Sequence, residues 1–268
     1  MPADALADEL LAAWDGARCT GLPSERPGGL TLAQAFEVGR ELATRRATRG
    51  EQPCGYKIGF TNRTIWPRYG VFAPIWAPVW SSTLTLLPGT EAEVSLAGLV
   101  QPRLEPEIVF GFATAPRAGM SEAELIACLG WVAHGFEIVH THFDGWRFTA
   151  ADTVADFALH GRLLVGPRVP VSRFERLGEE LAALHLTLAC DRGVVDTGSG
   201  ANVLDGPLTA LKLWLEAMAR DTPWWTVRAG DLVTTGTITD AWPMRPGQHW
   251  RSEPGHAALH GLSLRTRP

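Results

Sequence analysis

The chain has 268 residues, 46% hydrophobic and 20% charged, which suits one large globular domain or a main domain with a small one. Its net charge of -5 leaves no basic footprint for nucleic acid. No apolar run is long enough for a membrane span, the N-terminus lacks a signal-peptide pattern, and the four scattered cysteines read as reduced thiols, so a soluble cytoplasmic protein is expected.

In chain order, Leu6, Leu10, Leu11 and Trp14 recur at helical spacing over residues 3 to 18. Pro23 to Gly29 interrupts the pattern, and Thr31-x-x-Gln34 offers a capping box for a second helix running to about Gly50. We expect a helical N-terminal segment (residues 1–51) packed on the main domain or on another subunit, ahead of a β-rich catalytic domain (52–268). Cys54 to Thr61 reads as a short strand in which Gly55 and Gly59 hint at close backbone approach around Lys57. Lysine occurs only at 57 and 212 in a chain that otherwise uses arginine. Lys57 is either a residue chosen to exchange protons, which arginine cannot do, or a strand lysine whose tip reaches solvent. Residues 62 to 82, rich in Trp and Pro (Trp66, Trp76, Trp80), read as a hydrophobic lid or a subunit contact, and so predict self-association.

Arg103 to Phe112 alternates with a period of two. Leu104, Ile108, Phe110 and Phe112 form one face; Arg103, Glu105 and Glu107 fall on the other. Pro106 gives up a ladder donor, which suits an edge strand or a bulge. Ser121-x-x-Glu124 opens a short helix that leads into a second apolar strand. That strand carries one acid, Glu137, between Phe136 and Ile138. Three carboxylates on strands could form an all-oxygen site for Mg2+ or Mn2+. Alternatively Glu105 and Glu107 are a solvated face and Glu137 pairs with an arginine. Just beyond come His140, His142 and Asp144, which could ligate zinc or contact substrate, and His160 is equally ambiguous. Leu184 to Val195 reads as a hairpin. Thr197 to Asn202, with Ser199, is a small-residue loop that either binds an anion through its backbone or simply turns. Pro207 opens a helix to about Ala219, and Leu232–Ile238 and Gly261–Arg265 are late strands.

Six blocks in order then carry a resemblance: Gly55-Tyr-Lys57-Ile-Gly59, Pro102-Arg103-Leu-Glu105-Pro-Glu107, Phe136-Glu137-Ile-Val, Val154-Ala155-Asp156, Gly200-Ala-Asn202-Val-Leu204-x-x-Pro207 and Ala229-Gly230-Asp231-Leu-Val-x-x-Gly236. Together they resemble the 2-keto-4-pentenoate hydratase and 4-oxalocrotonate decarboxylase branch of the fumarylacetoacetate hydrolase superfamily. The resemblance implies an α+β fold, a mixed β-sheet roll with a helical N-terminal segment. It implies Mg2+ or Mn2+ held by Glu105, Glu107 and Glu137, a small 2-oxo acid substrate, and lyase chemistry in aromatic catabolism. Lys57 would then move protons, and Arg103, Trp76, Asp156 and Ser199 would contact substrate. Three departures bear on the reaction. Hydratases of this type carry an acid after the lid proline, where Ile75 follows Pro74, whereas decarboxylases tend to an aliphatic residue. His140 replaces the usual Asp, and Phe157 the usual Asn. Hydration comes first, with His140, His142 or His160 standing in for the missing acid. Decarboxylation, acylpyruvate C–C hydrolysis and a catalytically silent homologue are the alternatives.

Overall fold

The computed structural model describes residues 2–268, apart from the side chain of Tyr69. Two helices open the chain, α1 (Ala3–Asp15) and α2 (Leu32–Thr48). The Thr31–Gln34 capping box forms at the start of α2. Their apolar stripes, Leu6, Leu10, Leu11, Phe36 and Leu42, are buried in the same core as the sheets. At about 1.5–3 kcal/mol per buried large side chain, that burial outweighs any intrinsic preference of helices this short.

There follow β1 (Pro53–Gly59), α3 (Trp66–Tyr69), β2 (Ile75–Trp80), β3 (Leu84–Leu86), β4 (Glu91–Ser95) and β5 (Arg103–Phe112). After these come α4 (Glu122–Cys128), β6 (Leu129–Val139), α5 (Ala150–Ala155), β7 (His160–Val165) and β8 (Val169–Pro170). The last third holds α6 (Leu177–Ala182), β9 (His185–Cys190), β10 (Gly193–Ser199), α7 (Pro207–Asp221), β11 (Leu232–Thr237), β12 (Trp242–Pro243), β13 (His249–Glu253) and β14 (Leu262–Arg267). One sheet runs β2-β1-β11-β5-β6-β7-β3, with β12 beside β5 and β8 beside β6; a second runs β10-β9-β13-β14-β4. Parallel pairs (β1/β11, β3/β7, β4/β14) sit among antiparallel ones, so the α+β class with mixed sheets is what the chain adopts. No helix among the described residues is long and apolar enough to cross a membrane.

Two expectations need correcting. Part of the Trp-rich stretch is not a loop: residues 75–80 are strand β2, buried at every position. With both faces covered there is no alternation to read, and Pro78 is tolerated because β2 is an edge strand. Trp76 and Trp80 are therefore core, and the exposed apolar patch from which self-association was argued is absent at these two residues. Pro106 lies not on an edge but in β5, which is paired on both sides, to β11 and β6. The bulge half of that expectation holds. Thr234 faces Val109 and Thr237 faces Glu107, so β11 carries one extra residue there. Beyond this irregularity, the N–H of Ile238 donates to the Pro106 carbonyl at 3.0 Å.

Candidate metal centre

β5 and β6 place the acids. Residues i and i+2 of a strand share a face, and Glu105 lies directly opposite Glu137 in the β5/β6 register. One carboxylate oxygen from each of Glu105, Glu107 and Glu137 falls within 4.8 Å of the others. All three are buried, which rules out the solvated face. Among the described residues this is the one group of three or more metal-ligating side chains that converges.

Such a cluster is unfavourable by itself. Burial first, then the Glu137 and Glu105 charges, push Glu107 well above the ordinary glutamate range. Burial and the Glu137 charge outweigh Lys57 and raise Glu105 to about 7. Burial would raise Glu137 too, but Lys57 and the hydrogen bond from His160 outweigh it and hold this acid low. Oε1 of Glu107 and Oε2 of Glu137 are buried with no hydrogen-bond partner. Acceptor-only oxygens converging from three strand positions fit a hard divalent cation, which would take up both orphaned atoms and cancel the repulsion.

Neighbouring groups aim the acids. The bulge turns the N–H of Gly236 toward Glu107 Oε2, at 2.7 Å. Gly236 has φ 98°, and a Cβ there would fall 1.9 Å from Thr61 Oγ1, so only glycine fits. His160 Nδ1–H donates to Glu137 Oε1 at 2.7 Å, while its Nε2 lies 2.8 Å from Thr83 Oγ1. His160, which the sequence left undecided, is the histidine that touches the acid cluster; nothing in its spacing separates it from His140 or His142. Glu137 has no arginine partner, as Lys57 and His160 fill that role.

Lys57 is 2% exposed, so its tip does not reach solvent. Its Nζ donates to the Ala158 carbonyl at 2.9 Å and lies 3.4 Å from Glu137 Oε2. Burial would push the ammonium down, but the three carboxylates outweigh it and hold it above its ordinary value. A Cβ on Gly59 would lie 3.0 Å from Lys57 Nζ and 3.2 Å from Ile75 Cγ1, so glycine leaves room for both side chains. The accepting carbonyl belongs to a run of three non-glycine residues, Phe157, Ala158 and Leu159, all left-handed (φ 54°, 48°, 65°). Each costs about 1–2 kcal/mol, a concentration of strain beside a buried amine. A cavity of about 20 Å3 opens onto Lys57 and Glu105, walled by Phe60, Ile65, Val139, Trp146, Leu159 and Ala241. Outside it, a polar groove of about 550 Å3 shares Ile65 and Ala241 and includes Arg103.

The remaining predicted residues scatter. Arg103 stacks its guanidinium 4.2 Å over the Trp146 ring at the mouth of the cavity. Trp76 turns away from the centre, 4.5 Å from the Phe36 ring, and donates to Thr222. Successive strand residues face opposite ways, so it is Ile75 that faces Lys57. Ser199 caps Ala201 N–H and donates to the Ala182 carbonyl, and the N–H groups of Gly200 and Val203 are taken by Leu184 and Gly200 carbonyls. The loop turns rather than cradling an anion. His140 and His142 lie beneath Trp14 of α1, with ring centroids 4.7 and 6.1 Å from it, and neither lines the cavity. His140 Nδ1 accepts from Val100 N–H, and His142 Nδ1–H donates to Asp156 at 2.5 Å. Among the described residues no third metal-ligating side chain converges on them.

No protein-family model matches the chain. Among curated relatives, a 2-keto-4-pentenoate hydratase of Burkholderia vietnamiensis is 33% identical over 216 residues, covering 79% of this chain and 78% of that one. A 4-oxalocrotonate decarboxylase of a Pseudomonas species is 29% identical over 224 residues, 84% of this chain and 83% of that one. In fold, the chain superposes on 4-oxalocrotonate decarboxylase from Pseudomonas putida G7, solved with magnesium and adipate, with a TM-score of 0.88 and 24% identity over 98% of this chain and 97% of that one. From these likenesses, the chain belongs to the 2-keto-4-pentenoate hydratase and 4-oxalocrotonate decarboxylase family.

Proposed function

We propose that this protein is a divalent-metal-dependent lyase that adds water to a 2-oxo acid presented as its 2-hydroxy-dienoate. The observation that carries the reading is the trio of buried glutamates with two orphaned oxygens beside a buried lysine. Mg2+ or Mn2+, when bound, would supply Lewis acidity for enolate formation. Glu105, Glu107 and Glu137 would hold the ion, with Gly236 N–H and His160 fixing two of them in aim. Lys57 Nζ is the group placed to move the proton between enol and keto forms. Burial would favour the neutral amine, and the neighbouring carboxylate charges hold the ammonium up. Phe60, Ile65, Val139 and Trp146 keep bulk water from the enolate. Arg103 at the mouth is the candidate for a remote carboxylate. We place the enzyme in the cytoplasm as a homo-oligomer; light scattering that shows one 29 kDa species would reject the latter.

A second reading, decarboxylation, is favoured by Ile75. Its buried side chain shares with Lys57 the space left open by Gly59, where an acid would orient water, and a dry apolar wall helps a departing carboxylate lose its charge. The test offers the purified enzyme with Mg2+ a 2-hydroxy-dienoate and a 2-oxo-enedioate, following dienol absorbance, hydrated product and released CO2 separately. Hydrated product from the dienoate is the expected result. CO2 without hydration would give the second reading, and inertness toward both would reject lyase chemistry.

A further inference from the structure

The turn after α5 is left-handed at three successive non-glycine residues, and its middle carbonyl, Ala158, receives Lys57 Nζ. Such a run persists only where its surroundings over-determine it. Here it is tied at both ends. On one side the Asp156 carboxylate accepts from His142 Nδ1–H at 2.5 Å, from the His142 backbone N–H at 2.9 Å and from the Thr141 hydroxyl at 3.1 Å. On the other, the Leu159 carbonyl accepts from His140 N–H at 2.9 Å, and Leu159 N–H closes the turn onto the Asp156 carbonyl at 2.8 Å. Trp14 of α1 lies over the assembly, its ring 4.6 Å from Phe157. The proton-transfer reading uses none of these groups, yet a carboxylate buried with three donors is costly to keep unless it holds something in place.

We infer that Asp156 and His142 are positioning residues: they clasp the segment that follows β6 (His140–His142) to the 157–159 turn, and the turn in turn fixes Lys57 through the Ala158 carbonyl. The nearest carboxylate to Lys57 Nζ is Glu137, its Oε2 at 3.4 Å. With the turn released, Nζ loses the acceptor that sets its direction. The triad sits on β5 and β6 and needs no part of the clasp, so metal binding and substrate affinity are spared. The inference rests on Lys57 being the proton-transfer residue.

The experiment measures kcat, KM and Mg2+ affinity for Asp156→Ala, His142→Phe, His142→Gln and Lys57→Met, and for Asp156→Ala combined with Lys57→Met. Amide exchange across residues 140–160 is read on the same proteins. Asp156→Ala and His142→Phe are expected to lose roughly 10- to 100-fold in kcat, the scale of a misplaced catalytic group, with KM and Mg2+ affinity within about twofold. The His140 and Leu159 amides should exchange faster, and the double variant should be no worse than Lys57→Met alone. His142→Gln keeps a side-chain N–H for Asp156 and should recover most of the loss. Faster exchange with unchanged kcat, or losses that multiply in the double variant, would overturn the inference while leaving the proposed function intact. A fully active Lys57→Met would instead sink the function itself. If Asp156→Ala does not fold, Asp156→Asn, which retains an acceptor for the His142 N–H, replaces it in every comparison.

Discussion

Two buried polar clusters lie close together along the chain, one ending at Glu137 and the other starting at His140, and they differ in what they lack. Glu105, Glu107 and Glu137 are charges of one sign pointed at one another, with orphaned oxygens on two of them and raised pKa values on two. His140 and His142 also have orphaned atoms, their Nε2 nitrogens, but each ring is fixed through Nδ1, by Val100 N–H or by Asp156. Burial holds His140 far below its ordinary value, so it sits there neutral. The first cluster is incomplete without a cation; the second is closed by its own neighbours and by Trp14. In sequence both are short runs of metal-ligating letters. What separates them is uncompensated like charge, which only the fold reveals.

The sharpest way to break this contrast is Glu107→Gln. We expect Mg2+ affinity to fall on the order of 100-fold or more, beyond the loss typical of an outer neighbour, and turnover with it. The new amide oxygen still accepts the Gly236 N–H, and the fold no longer has to keep a buried acid protonated, so at neutral pH the metal-free variant should melt above metal-free wild type. Calorimetric titration and thermal melts with and without Mg2+ check both halves; unchanged affinity would remove the triad as the metal site.

Next in size is Lys57→Met. Turnover should drop roughly 100-fold, the scale of a lost general acid–base, while Mg2+ binding persists. Removing the cation beside Glu137 raises that carboxyl, so metal binding should shift to higher pH. Full turnover in this variant would leave Lys57 a structural partner of Glu137.

Much of this was legible beforehand, for identifiable reasons. Capping boxes at Thr31 and Ser121 and the period of two in β5 are local signals, and the structure keeps them. The convergence of Glu105 with Glu107 follows from strand geometry alone. Glu137 opposite Glu105 needed a register that only tertiary pairing sets. The Ala158 carbonyl and the Gly236 N–H carry no side-chain signature at all, so the groups that aim Lys57 and Glu107 stayed invisible. Strand β2 was missed because burial on both faces erases alternation.

A smaller effect concerns pH. Glu105 and Glu107 are raised in the metal-free fold, so the stability tied to their protonated forms is complete below the ordinary value of 4.5 and lost as pH rises through about 7 for Glu105. A dication reverses the preference by favouring the carboxylates. The melting increase given by Mg2+ should therefore be slight at about pH 5 and grow toward about pH 8. With Mg2+ at about 100 times its Kd it should reach about 5 °C or more. An increase independent of pH would mean that the ion binds elsewhere.

The smallest effect should come from His140→Asn, where the contrast between the clusters is finest. The Asn Oδ1 can take the place of Nδ1 in accepting from Val100 N–H, and the backbone N–H that holds the Leu159 carbonyl is untouched. The orphaned Nε2 is exchanged for an equally unpartnered Asn Nδ2, so the buried unsatisfied donor is not relieved. A cavity under Trp14, worth on the order of 1 kcal/mol for a few missing atoms, adds to the cost. We therefore expect a melting decrease of no more than about 4 °C and turnover within about threefold. If His140 were instead the base that replaces the acid missing at Ile75, hydration would fall roughly 100-fold while metal affinity held. Steady-state rates on the dienoate decide between a histidine that packs and one that reacts.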